Sequence, residues 1–208
     1  MTAPAGNEWD SHPPQSGGED EWLLIRRIGT GDQGALEQLY RRYYGGLYRF
    51  VLQVTRRTDT IEEVINEVMF VVWQKAATVE PRSRVSTWIL GIAHYKALQS
   101  LRRSTPSGGM SFDESSAPVP EAEGNSALQE LETEELLFAL MRSLSPEQRA
   151  VMELVYYHGL HYSEIAQVID CPENTVKTRV FHARRKLRSL WPELTGRTLP
   201  GRDAPDSR

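Results

Sequence analysis

The chain has 208 residues, with 24 Lys and Arg against 28 Asp and Glu, and a single cysteine. That length fits one ordinary domain or two small ones, and one cysteine excludes an internal disulfide framework and points to a reducing compartment. Residues 1–21 lack the basic start and apolar run of an export leader, and apolar runs such as Val68 to Trp73 fall far short of the roughly eighteen residues of a membrane span, so the expectation is a cytoplasmic chain that is not itself a membrane protein.

The net charge of -4 averages over segments of opposite sign. Residues 1–21 hold five acids and no Lys or Arg, and residues 104–141 hold eight acids and none. Residues 22–103 instead carry 13 basic against 7 acidic groups, and residues 142–190 carry 8 against 5. Two basic pieces joined by an acidic tether invite a polyanionic partner, although a merely solvated surface can look the same.

The expected architecture is all-α: two small helical domains, 22–103 and 128–190, between an acidic N-terminal extension (1–21), an acidic linker (104–127) and a tail (191–208). The linker is dense in Ser, Pro, Gly and Glu and has too few apolar residues to order itself. In the first piece, Ala35, Leu36, Leu39, Tyr40 and Tyr43 form one helical stripe, and Leu47, Phe50, Val51 and Val54 continue it after an expected break at Gly45-Gly46. A second helix is expected from Asp59, capped reciprocally with Glu62, to about Ala76. It is apolar over more than one face, so either its own domain surrounds it or Met69, Phe70 and Trp73 await a partner. A polar loop, Thr78 to Arg84, precedes a third helix, Val85 to Arg103.

In the second piece, Ser145-Pro146-Glu147-Gln148 reads as a capping box with proline at the first helical position, and Gly159 closes that helix. A short helix from Tyr162 to Ile169, a turn at Asp170-Cys171-Pro172 and a last helix to about Leu190 outline a helix-turn-helix. On the last helix Val176, Val180, Ala183 and Leu187 form the buried stripe. The rest carries six basic groups against one acidic between 172 and 188. Glu173, Asn174, Lys177, Thr178, Phe181 and His182 are placed to reach base edges, with Arg184, Arg185, Lys186 and Arg188 on phosphates. Phe181 on the polar face suits a thymine methyl, unless it packs on its own domain.

Leu144 to Arg149, Tyr162 to Ala166, Cys171 to Arg179 and Ala183 to Leu187 together resemble the minus 35 reading domain of the sigma-70 family, in its two-domain extracytoplasmic function branch. Glu63 to Trp73 is similar to that family's clamp-binding helix, and Ser86 to Ala93 with Leu101-Arg102-Arg103 to its minus 10 element. The resemblance implies an initiation factor without catalysis or cofactor that binds core RNA polymerase, at its beta-prime clamp helices and beta flap, and promoter DNA, and that is held by an anti-sigma factor. It places polymerase contacts at Glu63, Asn66, Glu67, Met69, Phe70 and Trp73. Minus 10 contacts fall at Arg82, Arg84, Ser86, Thr87, Trp88, His94, Tyr95, Arg102 and Arg103, and Thr175 and Arg179 join the minus 35 set.

Two other readings stand beside it. A helix-turn-helix regulator explains 142–190 but gives the first piece no task. A metal-dependent enzyme or sensor would use His158, His161, Glu164 and Cys171, with Gly159 interrupting the helix between the histidines. No Ser-His-Asp set or phosphate-cradling glycine loop argues for catalysis.

Overall fold

A computed structural model of the chain describes residues 18–104 and 140–195, with side chains described over 20–103 and 140–191. Most of the N-terminal extension, the acidic linker beyond Ser104 and the tail beyond Thr195 lie outside the described residues. Among the described residues there is no strand, and the helices are α1 (Gly18–Gly29), α2 (Gln33–Thr55), α3 (Ile61–Lys75), α4 (Val85–Ser104), α5 (Pro146–Tyr156), α6 (Tyr162–Val168) and α7 (Glu173–Thr195), with residues 140–142 also helical ahead of α5. The first four form one unit and the last three another. α2 packs on α5 and α4 on α6, so a continuous apolar cluster runs through both.

Helix α1 begins inside the stretch expected to be an extension, because Ile25 and Ile28, one turn apart, bury themselves against α2 and α3. Its end approaches α3 so closely that a Cβ on Gly29 would lie 2.9 Å from the Ala77 Cα. Asp32 caps α2 by accepting from the Ala35 amide at 3.0 Å. The expected break at Gly45-Gly46 does not occur, and α2 runs through both glycines. Each costs about 1 kcal/mol relative to alanine in a helix, which the packing of both flanks outweighs. Gly46 is needed there, since its absent Cβ would sit 3.1 Å from the His158 imidazole.

The start of α3 also differs from expectation. Asp59 turns toward Arg57, at 2.6 Å, and the helix starts at Ile61 without a side-chain cap. Ile61, Val64, Ile65, Val68, Met69 and Val72 are buried against α1, α2 and α4, which accounts for most of its all-round hydrophobicity. In α5 the reciprocal cap is present: the Gln148 amide donates to Ser145 Oγ at 3.3 Å and the Ser145 amide to Gln148 Oε1 at 3.1 Å. Positive φ at Gly159 (62°) and Asp170 (50°) makes the two turns of the second unit. Val176, Val180 and Ala183 are buried as expected, but α7 extends to Thr195, past the anticipated boundary at Leu190.

His158 is wedged between the units, edge-on to Phe50 at 6.0 Å and to Tyr157 at 5.1 Å. Burial, reinforced by the nearby Arg49 guanidinium, pushes its pKa down to about 4. The unfolded imidazole therefore takes up a proton below about 6.5 while the folded one does not until about 4, so its contribution to stability falls as pH drops through that window. Glu153, on the helix just before it, is pushed the opposite way by burial against the pull of Arg49 and partly offsets this. The His158→Leu variant isolates the first effect. Wild-type stability should lose up to about 3 kcal/mol relative to the variant between pH 6.5 and 4, read from urea midpoints. Parallel curves would show that His158 stays accessible to protons.

Candidate polymerase and nucleic-acid interfaces

Three surfaces collect the candidate residues. On the first, α2 and α3 line an open groove of about 410 Å³ with Leu36, Tyr40, Asn66, Met69, Phe70 and Trp73 among its walls. Met69 is buried beneath it, Trp73 is half-buried, and Phe70 is 59% exposed. A phenylalanine this exposed on an ordered helix is a surface feature without a partner inside its own unit. Glu63 is exposed and lies 3.7 Å from Arg103 of α4, and Glu67 points back into the chain, pairing with Lys96 at 3.1 Å and Arg103 at 3.0 Å. Burial works to raise the Glu67 pKa, but these two cations outweigh it and hold the carboxyl below its usual range. Leu36 and Tyr40 were not singled out for this surface from the sequence. Their signal was the aromatic series Tyr40, Tyr44, Tyr48, whose neighbouring rings lie 5.5 and 6.2 Å apart.

The second surface surrounds the loop before α4. Trp22 of α1 stacks on Trp88 at 6.4 Å and 21°, and with Val79, Glu80, Arg82 and Ser83 they line a slot of about 380 Å³. Arg82 is exposed and paired with Glu80 at 2.6 Å. Trp22 and Val79 were missed from the sequence, because nothing local links α1 to a loop more than fifty residues away. The other candidates diverge: Tyr95 and Arg102 are exposed and Ser86 half-buried, while Thr87 is 3% exposed. His94 is half-buried near Phe50, and burial, with Arg179 second, lowers its pKa. Arg103 is occupied by Glu67, and Arg84 lies 3.4 Å from Glu164 of α6.

The third surface is the outer face of α7. Glu173, Asn174, Lys177, Thr178, His182, Arg185 and Arg188 are exposed. Phe181 is 58% exposed, with its ring edge-on to His182 at 5.4 Å, so most of it faces away from its own unit. Lys177 pairs with Glu173 at 2.8 Å, which raises its pKa and keeps it charged. Thr175 and Arg179 are half-buried, Arg179 reaching the Cys171 sulfur at 4.0 Å. Arg184 donates to the Tyr156 hydroxyl at 2.6 Å, and Lys186 to the Ser143 carbonyl. Internal bonds thus orient these two cations along the helix flank.

The residues considered for a metal have other tasks. His158 is half-buried between the units, and Glu164 accepts from the His161 amide at 2.9 Å, capping α6. Among the described residues no group of three or more His, Cys, Asp or Glu is placed to hold a metal ion, and no helix is long and apolar enough to cross a membrane.

The sequence matches the family description "Sigma-70 region 2" over residues 39–106 and "Sigma-70, region 4" over 134–187. It is 28% identical over 174 residues to the ECF RNA polymerase sigma factor SigK of Mycobacterium tuberculosis, covering 80% of this chain and 90% of that protein. SigK of Mycobacterium sp. is 27% identical over 175 residues, covering 80% and 88%. Among solved structures, the sigma factor RpoE of Bartonella quintana, seen with its anti-sigma factor NepR, has a TM-score of 0.61 at 25% identity, covering 74% of this chain and 95% of that one. CnrH, in complex with the cytosolic domain of CnrY, shares the fold at a TM-score of 0.60 and 20% identity, covering 83% and 97%.

A four-helix unit with an exposed apolar groove, followed by a helix-turn-helix unit with a basic reading helix, is the make-up of a promoter-specificity subunit. The chain belongs to the sigma-70 family, in its extracytoplasmic function branch, and is an RNA polymerase sigma factor. The match to region 2 gives the first unit the task that a free-standing helix-turn-helix regulator leaves unassigned.

Proposed function

We propose that this sigma factor divides its work among the three surfaces described. Residues 22–103 act as the polymerase and minus 10 domain, 128–190 as the minus 35 domain, and 104–127 as the tether between them. The groove of α2 and α3 takes the polymerase clamp: Phe70 and Trp73 enter the contact, Glu63 and Asn66 pair at its rim, and Met69 and Glu67 support it from behind. The slot beside the loop, with Arg82 on the backbone and Trp88 as platform, holds an unstacked base of the minus 10 element, because single strands favour aromatic faces within a positive groove. Tyr95, Arg102 and the remaining minus 10 residues extend that path along α4.

The α7 face reads the minus 35 duplex, and the observation that carries this is the exposed Phe181 among outward-facing polar and basic side chains. The chain acts in the cytoplasm with the polymerase, has no catalysis of its own, and is restrained by an anti-sigma factor. The similar RpoE fold seen with NepR supports that last assignment.

The test separates base from backbone contacts on α7. Lys177→Ala or His182→Ala should weaken binding by about 1 to 3 kcal/mol and change the preferred minus 35 sequence, while Arg185→Ala should weaken all promoters alike and reduce the salt slope by about one. Competition among a library of minus 35 variants in reconstituted holoenzyme measures both. Identical behaviour of the two classes would remove the division of that helix.

A further inference from the structure

We propose that Tyr156 of α5 and Arg184 of α7 form one phosphate site on the minus 35 duplex, in which Tyr156 is the positioning residue that holds the guanidinium ready and adds a hydroxyl donor beside it. The inference deepens the reading of α7 as the minus 35 helix and rests on it. It also brings α5, which has no part in that reading, into contact with DNA.

Arg184 Nε donates to the Tyr156 hydroxyl at 2.6 Å, and the guanidinium carbon lies 5.5 Å from the centre of the tyrosine ring. A phenol has one proton to give, and an oxygen that is accepting from a guanidinium directs that proton elsewhere. Both side chains are exposed, Tyr156 by 58%. The Arg184 Nη groups and the Tyr156 O–H are therefore neighbouring donors at the surface. Arg82 and Lys177 meet carboxylates, at 2.6 and 2.8 Å, whereas the partner of Arg184 is a neutral phenol that leaves its charge uncancelled. A planar cation with a second donor at its side is complementary to an oxyanion, and phosphate suits the guanidinium fork best.

The place of the pair on α7 selects the backbone of DNA as that anion. Lys177, Phe181, Arg184 and Arg188 are spaced four, three and four apart, so they form one stripe along the helix. An α-helix rises about 1.5 Å per residue, which puts Arg184 about 15 Å past Asn174 along the axis. The major groove is about 12 Å wide, so with Asn174, Lys177 and Phe181 inside it the stripe has reached the phosphates of the groove edge by Arg184. The tether to Tyr156 matters there. An arginine free in water gives up many rotamers when it binds, and one already held gives up fewer.

Tyr156→Phe tests this, because it removes one exposed hydroxyl and leaves the ring. In reconstituted holoenzyme it should weaken binding to every minus 35 variant about five- to tenfold without changing which is preferred, and leave the thermal midpoint of the free chain in place. In an Arg184→Ala background the same change should cost less than about twofold, since the two groups serve one site. A scan that replaces single phosphates of the element by neutral methylphosphonate gives a second measurement. Wild type should lose at least about fivefold at one position to which Arg184→Ala is indifferent and Tyr156→Phe is less sensitive. Wild-type affinity of Tyr156→Phe, additive losses in the double variant, or the absence of such a position would overturn the proposal. A loss already present in affinity for core polymerase without DNA would set the pair against an acidic protein surface and overturn it equally. Lys177→Ala distinguishes these failures from failure of the α7 reading. It should still change the preferred sequence if the Tyr156 assignment alone is wrong, and change nothing if α7 does not read the duplex.

Discussion

Replacing Phe70 by Glu is expected to weaken the complex with core RNA polymerase at least about thirtyfold while leaving the thermal midpoint of the free chain unchanged. An aromatic anchor at the centre of an interface contributes about 2 kcal/mol or more, and a buried unpaired carboxylate adds its own desolvation penalty. Phe70 is already 59% exposed, so the free chain loses little packing when it goes. Titration of labelled chain with purified core enzyme, beside a thermal melt, separates the two effects. Wild-type affinity would exclude the α2–α3 groove as the clamp contact. Glu67→Lys is a poorer probe, because it would set a third cation against Lys96 and Arg103 and disturb the α3–α4 packing.

Phe50→Ala should have the largest effect on stability, a loss of about 3 to 5 kcal/mol. The ring is fully buried and lies 6.4 Å from His94 of α4 and 6.0 Å from His158 of the second unit. Removing it empties volume where α2 and α4 meet the second unit, and neither rigid helix can move in to refill it. Against a total of about 5 to 15 kcal/mol for an ordinary domain, that is a sizeable fraction of stability. Urea unfolding of wild type and variant should show the midpoint falling sharply. A shift below about 1 kcal/mol would mean that Phe50 is not enclosed.

Where the determinant is local, the fold was legible in the residues. Ser145 and Gln148 are three positions apart, and their reciprocal cap follows from that spacing. The buried stripe of α7 and the exposure of Phe181 follow in the same way from helical periodicity. The misreadings have long-range causes. Gly45-Gly46 looks like a break because local propensity says so, yet the approach of His158, from the turn after a helix more than a hundred residues later, is what makes Gly46 necessary. Asp59 has the right type and position for a cap, but Arg57 competes for it. The sites divide along the same line. The exposure of Glu173, Asn174, Lys177, Thr178 and His182 on α7 was readable from helical spacing, whereas Thr175 and Arg179 are half-buried. The pairing of Glu67 with α4, the Trp22 wall of the slot and the Arg149 bridge between the units depend on tertiary contacts that no sequence spacing encodes.

The central claim, that this chain gives polymerase its promoter choice through separate minus 35 and minus 10 contacts, is tested most directly by reconstituted transcription. Core polymerase free of other sigma factors would be combined with the purified chain and a template library randomised over both elements. The account predicts chain-dependent transcripts from templates that share two preferred motifs, one at each element. Transcripts no more abundant or selective than those of core enzyme alone, from folded chain free of any inhibitor, would contradict it.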